Sequence, residues 1–364
     1  MRFEQIVNQD AVKKILIRTA LRQQLPNGYL LYGPEGVGKW AMALALTAFL
    51  NCKNPTENDS CGECGPCRQI AKLQFLNLFI AVPTPPSKSE KDELENYWTL
   101  LKQKIEEPYS LLTGSRTMLI PVQTVRDIRR SLAQKPPLAG YRVVIIEQMD
   151  RMLTNSADAL LKLIEEPPPR TLIIITCSHP EKLLPTVISR CRKVRLGTLS
   201  EDMIVGYLRD NYDIKETKAK LLTRLSGGSL GRALYLADDE HAQDRDLSRA
   251  VLKGLFQASA STVMAEVHDL MPFNDRSRMN RILASWQYLF RDLILLSNGA
   301  GADKLINTDF APEMEKMTAG IRNSESFLAI PNYLGTVMRD IELNVDTRMA
   351  VTAALLKIEK RLRV

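Results

Sequence analysis

Short apolar runs at 29–32, 76–82, 142–146 and 171–176 punctuate the first half of the chain. Each is too short for a helix and is bounded by turn or charged residues, which predicts buried strands. Between the runs, apolar positions recur at helical spacing. Val12, Ile15, Leu16 and Ala20 make one stripe, and an Ala/Leu-rich helix is predicted from about Lys39 to Leu50. Leu153, Ala157, Leu160 and Ile164 make a third stripe on a helix that Asn155 caps and Pro167 to Pro169 end. Strands alternating with helices from 28 to 196 predict an α/β fold whose parallel sheet is covered on both faces. Beyond Gly197 the strand signals stop. Helices are predicted near 201–211 and 216–225, and the pattern is helical from 241 to 364, ending on a stripe of Val351, Leu355, Ile358 and Leu362.

The loop after the first run carries Gly33, Gly36, Gly38 and Lys39 in a G-x-x-x-x-G-K pattern, with a strand before it and a helix after it, as a phosphate-binding loop requires. Its glycines let backbone N–H groups converge on phosphate oxygens at a helix N-terminus, and Lys39 would reach the outer phosphates. The next residue should be Ser or Thr, to ligate magnesium, but it is Trp40. After the 142–146 run, where an active ATPase usually carries Asp then Glu, stand Glu147 and Gln148, and an amide cannot take a proton from water. Both departures fall on the same chemistry. The cradle therefore lacks the means of hydrolysis; it either holds a nucleotide, phosphate or sulfate without turnover or is blocked by the Trp40 side chain.

Cys52, Cys61, Cys64 and Cys67 follow directly in a C-x8-C-x2-C-x2-C spacing, with Gly62, Gly65 and Pro66 between them. Tight turns of this kind bring thiolates onto one tetrahedral ion, so a structural zinc is expected, with an iron–sulfur cluster or free thiols as the alternatives. Cys177 and Cys191 lie in apolar surroundings and read as core residues. The stretch from 83 to 117 turns to Pro, Ser, Lys and Glu and predicts a surface insertion with one solvated helix near 93–107. A helix at 122–132 sets Arg126, Arg129 and Arg130 on one face, either a solvated surface or a track for a phosphate backbone. A length of 364 residues suggests two or three domains. The absence of an apolar leader or span predicts a cytoplasmic protein with no membrane contact, and a net charge of +7 permits nucleic-acid contact without establishing it.

Taken together, the phosphate loop, the cysteine module behind its helix, the run Ala-Leu-Leu-Lys-Leu-Ile-Glu-Glu-Pro-Pro at 159–168, the triplet Ser189-Arg190-Cys191 and the segment Gly-Ser-Leu-Gly-Arg-Ala-Leu at 228–234 resemble the bacterial DNA polymerase III clamp-loader subunits, members of the AAA+ class. The likeness covers about residues 1–240. It implies a RecA-like nucleotide-binding domain at 1–198 with a zinc module at 52–67, a helical lid at 199–240 and a helical collar at 241–364 that assembles a ring. Within that family the gamma/tau subunits hydrolyse ATP, while another, nearly rigid subunit does not and donates an arginine finger. The departures at Trp40, Gln148 and Gly231, with the Ser-Arg-Cys triplet kept, imply the second kind. Arg190 would then enter a neighbouring gamma/tau ATP site, where such a finger is worth roughly 10³ to 10⁵ in rate. The partners implied are gamma/tau and delta subunits, the sliding clamp and primer-template DNA, with Arg126, Arg129 and Arg130 as DNA contacts. The alternatives are an active gamma/tau-type ATPase that tolerates Trp40 and an independent P-loop phosphotransferase, for which no second catalytic base is evident. A third, a zinc-dependent DNA-binding module, is opposed by Glu57, Asp59 and Glu63 standing against Lys53 and Arg68.

Overall fold

The computed structural model of the chain describes residues 1–112, 118–152, 154–319 and 325–362, without the side chains of 154–159, 260, 267, 325 and 326. It divides into two compact units, Met1–Tyr212 with Ser226–Ala233, and Asp213–Leu225 with Leu234–Val364. In chain order the first unit contains α1 (Asp10–Leu21), β1 (Gly28–Tyr32), α2 (Lys39–Asn51), α3 (Gly65–Ala71), β2 (Leu78–Ala81), α4 (Glu90–Glu106), α5 (Val122–Ala133), β3 (Arg142–Ile146), α6 (Thr154–Glu165), β4 (Thr171–Cys177), α7 (Pro185–Arg190), β5 (Arg192–Arg195) and α8 (Glu201–Tyr212). Its strands form one five-stranded sheet in the order β2-β3-β4-β1-β5, and every pairing is parallel.

The continuous apolar runs follow from burial on both faces. Successive side chains of a strand point to opposite sides, so Tyr29 and Leu31, Val143 and Ile145, and Leu172 and Ile174 join a core with α1 and α2, while Leu30, Val144, Ile146, Ile173 and Ile175 join one with α5 and α6. The sixth and seventh helices bring the sequence reading into focus. Leu160 and Ile164 are buried as expected, whereas Leu153 and the side chains of Asn155 and Ala157 lie outside the described residues. Cys177 and Cys191 are core residues, and burial pushes their thiols up, to about 12 and about 11.

Two elements differ from expectation. The 183–196 stretch forms α7 and the edge strand β5, whose charged pattern hides it because it buries only Val194. Where a surface insertion is expected at 83–117, the described part, 83–112, is built into the core. Its helix begins at Glu90, capped by the Ser89 side chain, and Leu100, Leu101, Lys104, Tyr109 and Leu112 are buried.

In the second unit, the helix Arg276–Ser297 supplies Trp286, Leu289, Phe290 and Leu293 to a core shared with Leu252, Leu334, Val337, Val351, Leu355 and Ile358. Buried Asp292 accepts hydrogen bonds from the backbone N–H groups of Ile306 and Asn307 and from Asn307 Nδ2, which fixes the chain after the helix. Among the described residues no helix is long and apolar enough to cross a membrane.

Asp309 in this unit is gripped by Arg245 and Arg249. Burial tends to raise its pKa, but the hydrogen bonds and charges of the two guanidinium groups outweigh it and hold the carboxyl at about 2. A depressed folded-state pKa contributes stability above the ordinary 3.8 and loses it as pH falls toward 2. The gap in urea midpoint between the wild type and Asp309→Asn should therefore narrow steadily as unfolding is measured from pH 5 down to about 3.

Candidate functional site

The carboxyl ends of β1, β3 and β4 deliver Gly33, Glu147 and Ser178 to one end of the sheet, where parallel α/β sheets place their ligand sites. The loop is folded as its glycines predict. Gly33, Gly36 and Gly38 have φ of 147°, 74° and 100°, values open to glycine, and α2 begins at Lys39.

What fills the cradle is the protein itself. The Lys39 ammonium turns back on its own loop, donating to the carbonyls of Gly33 at 2.8 Å and Pro34 at 2.7 Å and to Ser178 Oγ at 3.1 Å. Burial lowers its pKa, with Glu147, Glu35 and Asp150 pulling the other way. Trp40 is 2% exposed and packs into the core shared by α1 and α2. A second ammonium, Lys104 from α4, lies 5.9 Å from the centre of the Trp40 ring, 3.6 Å from Glu147 Oε1 and 2.6 Å from the Ser110 carbonyl. Lys104 and Glu147 are each 4% exposed. A cation of the chain's own thus sits where residue 40 and the acidic residue after β3 converge, the place at which an ATPase of this pattern holds magnesium.

The rest of the cradle is closed by the same stretch and by the turn before 231. The Tyr109 ring abuts Gly38, where an added Cβ would meet Cε1 at 2.9 Å, and its hydroxyl accepts from the Val7 N–H at 2.8 Å. Burial raises the Tyr109 phenol to about 12. Gly231 N–H donates to the Gly36 carbonyl at 2.9 Å, and Ser229 Oγ donates to that of Glu35 at 2.6 Å. A side chain at Gly231 would run into the Tyr109 carbonyl, which is why this position carries none. Gln148 stands in the left-handed region at φ 51°, its N–H on Thr176 Oγ1 and its amide donating to Glu35 Oε1 at 2.5 Å, while Thr176 donates to Glu147 Oε2 at 2.6 Å. The space enclosed by these groups is about 20 Å³. That admits a water, whereas a small-molecule site needs roughly 300 Å³ or more; a larger space of about 560 Å³ at the same end of the sheet is lined by Glu35, Gln148, Asp150 and Ser178 and not by the loop glycines, so the loop glycines as they stand leave no room for phosphates.

Lys104 and Tyr109 escaped the sequence reading. One signal was available for the lysine: Tyr97, Leu100, Leu101 and Lys104 fall at i, i+3, i+4 and i+7, which puts a charge on the buried stripe of α4.

Cys52, Cys61, Cys64 and Cys67 do come together, with all four Sγ atoms within 4.8 Å of one another. The Cys61 N–H points at Cys52 Sγ at 3.2 Å and the Cys64 N–H at Cys61 Sγ at 3.4 Å. N–H donation from Cys64 and Glu63 holds the Cys61 thiol down at about 6, while burial pushes those of Cys52 and Cys67 up; it is the convergence of the four sulfurs that suits a thiolate-binding ion such as zinc. Arg190 closes α7 on the surface, paired through Nε with Glu165 at 2.6 Å. Arg126, Arg129 and Arg130 are exposed on α5 opposite buried Val125, Ile128 and Leu132, with Arg130 also held by Asp127 at 3.1 Å. Structure thus gathers the phosphate-loop residues into one network and leaves the arginines apart from it.

Comparison with known proteins identifies the family. A DNA polymerase III subunit delta' from Pseudomonas aeruginosa is 35% identical over 69% of this chain and 68% of its own length. The subunit delta' of Escherichia coli is 30% identical over 60% of this chain and 56% of its own, and the subunit tau of Bacillus subtilis 23% identical over 84% and 52%. The chain spans 52% and 68% of the lengths of the Bacillus tau and Pseudomonas delta' relatives. The family described as DNA polymerase III, delta subunit matches residues 8–200, more than half of the sequence, and the chain belongs to that family.

Proposed function

We propose that this chain is a clamp-loader subunit of the delta-prime kind, which hydrolyses no ATP and lends Arg190 to the ATP site of a neighbouring gamma/tau subunit. On this reading the chain comprises an AAA+ domain at 1–198, a lid at 199–240 and a collar at 241–364, and the further partners are a delta subunit, the sliding clamp and primer-template DNA. The observation that carries it is Lys104 beside Trp40 and Glu147, an internal cation that leaves a water-sized space in the phosphate loop. With no hydroxyl at residue 40, Glu147 taken up by Lys104 and Thr176, and an amide at 148, the usual magnesium ligand and the usual base are both missing.

Arg190 is well prepared for the role. Its guanidinium is exposed, and its present partner Glu165 is a surface carboxylate. Such a pair contributes about 0 to 1 kcal/mol, while a finger on a transferring phosphoryl group is worth roughly 4 to 7 kcal/mol. Releasing the carboxylate therefore costs little against the transition-state stabilisation a finger supplies. Arg126, Arg129 and Arg130 supply a phosphate-tracking face for DNA, and Cys52, Cys61, Cys64 and Cys67 hold a structural zinc whose role is to order the turn behind α2.

The purified chain with ATP and magnesium should release phosphate only at background, and in an assembly rebuilt with gamma/tau and delta, Arg190→Ala should lower DNA-stimulated ATPase at least a hundredfold without loss of the ring. An undiminished ATPase would remove the finger. Lys104→Ala strands the buried Glu147 carboxylate and should cost about 3 kcal/mol in urea unfolding, while leaving turnover at background because Trp40 and Gln148 remain. Replacing Cys64 by Ser should release about one zinc per chain and lower the unfolding midpoint of the first unit; a metal-free wild type of equal stability would overturn the metal assignment.

A further inference from the structure

Strand β2 is the end of the sheet, with β3 on one side and no strand on the other among the described residues. Glu147 N–H bonds to the Ala81 carbonyl and Val143 N–H to that of Asn77, so the odd-numbered backbone groups of this strand serve β3 and those of Ile80 and Val82 face outward. Outward of the strand lies a groove of about 630 Å³, floored by Phe79 and Ile80 and walled by α4 and α5. A sheet edge of this kind is ordinarily covered or blunted by lysine or proline, since it offers a row of donors and acceptors to any extended chain. Among the described residues the Tyr97 hydroxyl donates to the Ile80 carbonyl at 3.1 Å, with burial raising that phenol to about 12, and just past the strand the Thr84 N–H and carbonyl exchange hydrogen bonds with Leu119, so the open part of the edge is short.

The walls say what kind of chain would fit. Leu94 is 57% exposed at the rim, an apolar seat beside Phe79. Among the described residues the groove is lined by Glu90, Glu93 and Asp127, the last held by Arg130 at 3.1 Å, and by neither Lys nor Arg, on a chain whose net charge is +7. This local reversal of sign repels nucleic acid and attracts a basic polypeptide. We propose that the groove binds an extended segment of a partner protein, mixing apolar residues with Lys or Arg, which adds to the sheet beside β2. Backbone bonds to Ile80 and Val82 would supply affinity, and successive side chains would reach Leu94, Glu90 and Glu93 on the α4 side and Phe79 and Asp127 on the α5 side. A length of roughly four or five residues matches the strand at about 3.3 Å per residue. The proposal does not depend on the nucleotide or finger reading.

A fluorescein-labelled peptide of alternating Lys and Val, titrated with the full chain and followed by anisotropy, provides the test. Expected are saturable binding, at least tenfold weakening by Glu90→Lys with Glu93→Lys and by Leu94→Asp, loss of binding when alternate peptide nitrogens are methylated, and slowed amide exchange at Ile80 and Val82. The substituted positions are on the surface, and circular dichroism checks that each variant is folded. Absence of binding, equal binding by the methylated peptide, or equal binding by the variants would overturn the proposal. So would concentration-dependent dimerisation abolished by Leu94→Asp, which would assign the groove to a second copy of the chain.

Discussion

A buried ammonium with a buried carboxylate 3.6 Å away is the contact on which the rest of the first unit turns. Taking either charge out of water alone costs several kcal/mol, so Lys104 is tolerable only if Glu147, the Ser110 carbonyl and the Trp40 ring all meet it. Meeting it requires α4 to lie across the end of the sheet and the chain after it to turn inward at Tyr109. Tyr109 then touches Gly38 and the Val7 N–H, and its carbonyl crowds Gly231, which ties the entry segment, the phosphate loop and the 228–231 turn to one another. A loop whose glycines are suited to phosphate is in this way held in place by carbonyls, a phenol and two lysines of the same chain.

That arrangement changes what a degenerate phosphate loop means. Losing a magnesium ligand at residue 40 would by itself leave an open cradle able to hold an anion. The added cation and the self-bonded Lys39 remove both the space and the free positive charge that an anion would use. The unit gains in exchange a loop held in shape by the chain's own groups.

The two ends of the sheet are chemically opposite. Strand β5 exposes Arg192, Lys193 and Arg195, charges that discourage pairing with a further strand. Strand β2 lacks such charges and sits beside acidic residues of α4 and α5. An excess of basic residues over the whole chain therefore conceals one face of the other sign, and only the placement of α4 and α5 exposes it.

Period and chemistry along the chain were enough to determine the parallel sheet, the phosphate-loop turn, the cysteine cluster and the helical second half, because each rests on neighbours within a few residues: alternation on a strand, glycines at a tight turn, thiols two apart. The α1 stripe shows the limit even there, since Ile15 is 43% exposed and Ile17 is buried in its place. The closed state of the cradle was not legible. Trp40 announced that magnesium was lost, but whether the space stayed open depended on Lys104 and Tyr109, about seventy residues away in a stretch whose prolines and charges look like surface. Charge and burial conflict in one residue only when a partner stands opposite, and that partner, Glu147, is placed by the sheet; the sequence could state the conflict, and tertiary structure alone resolved it.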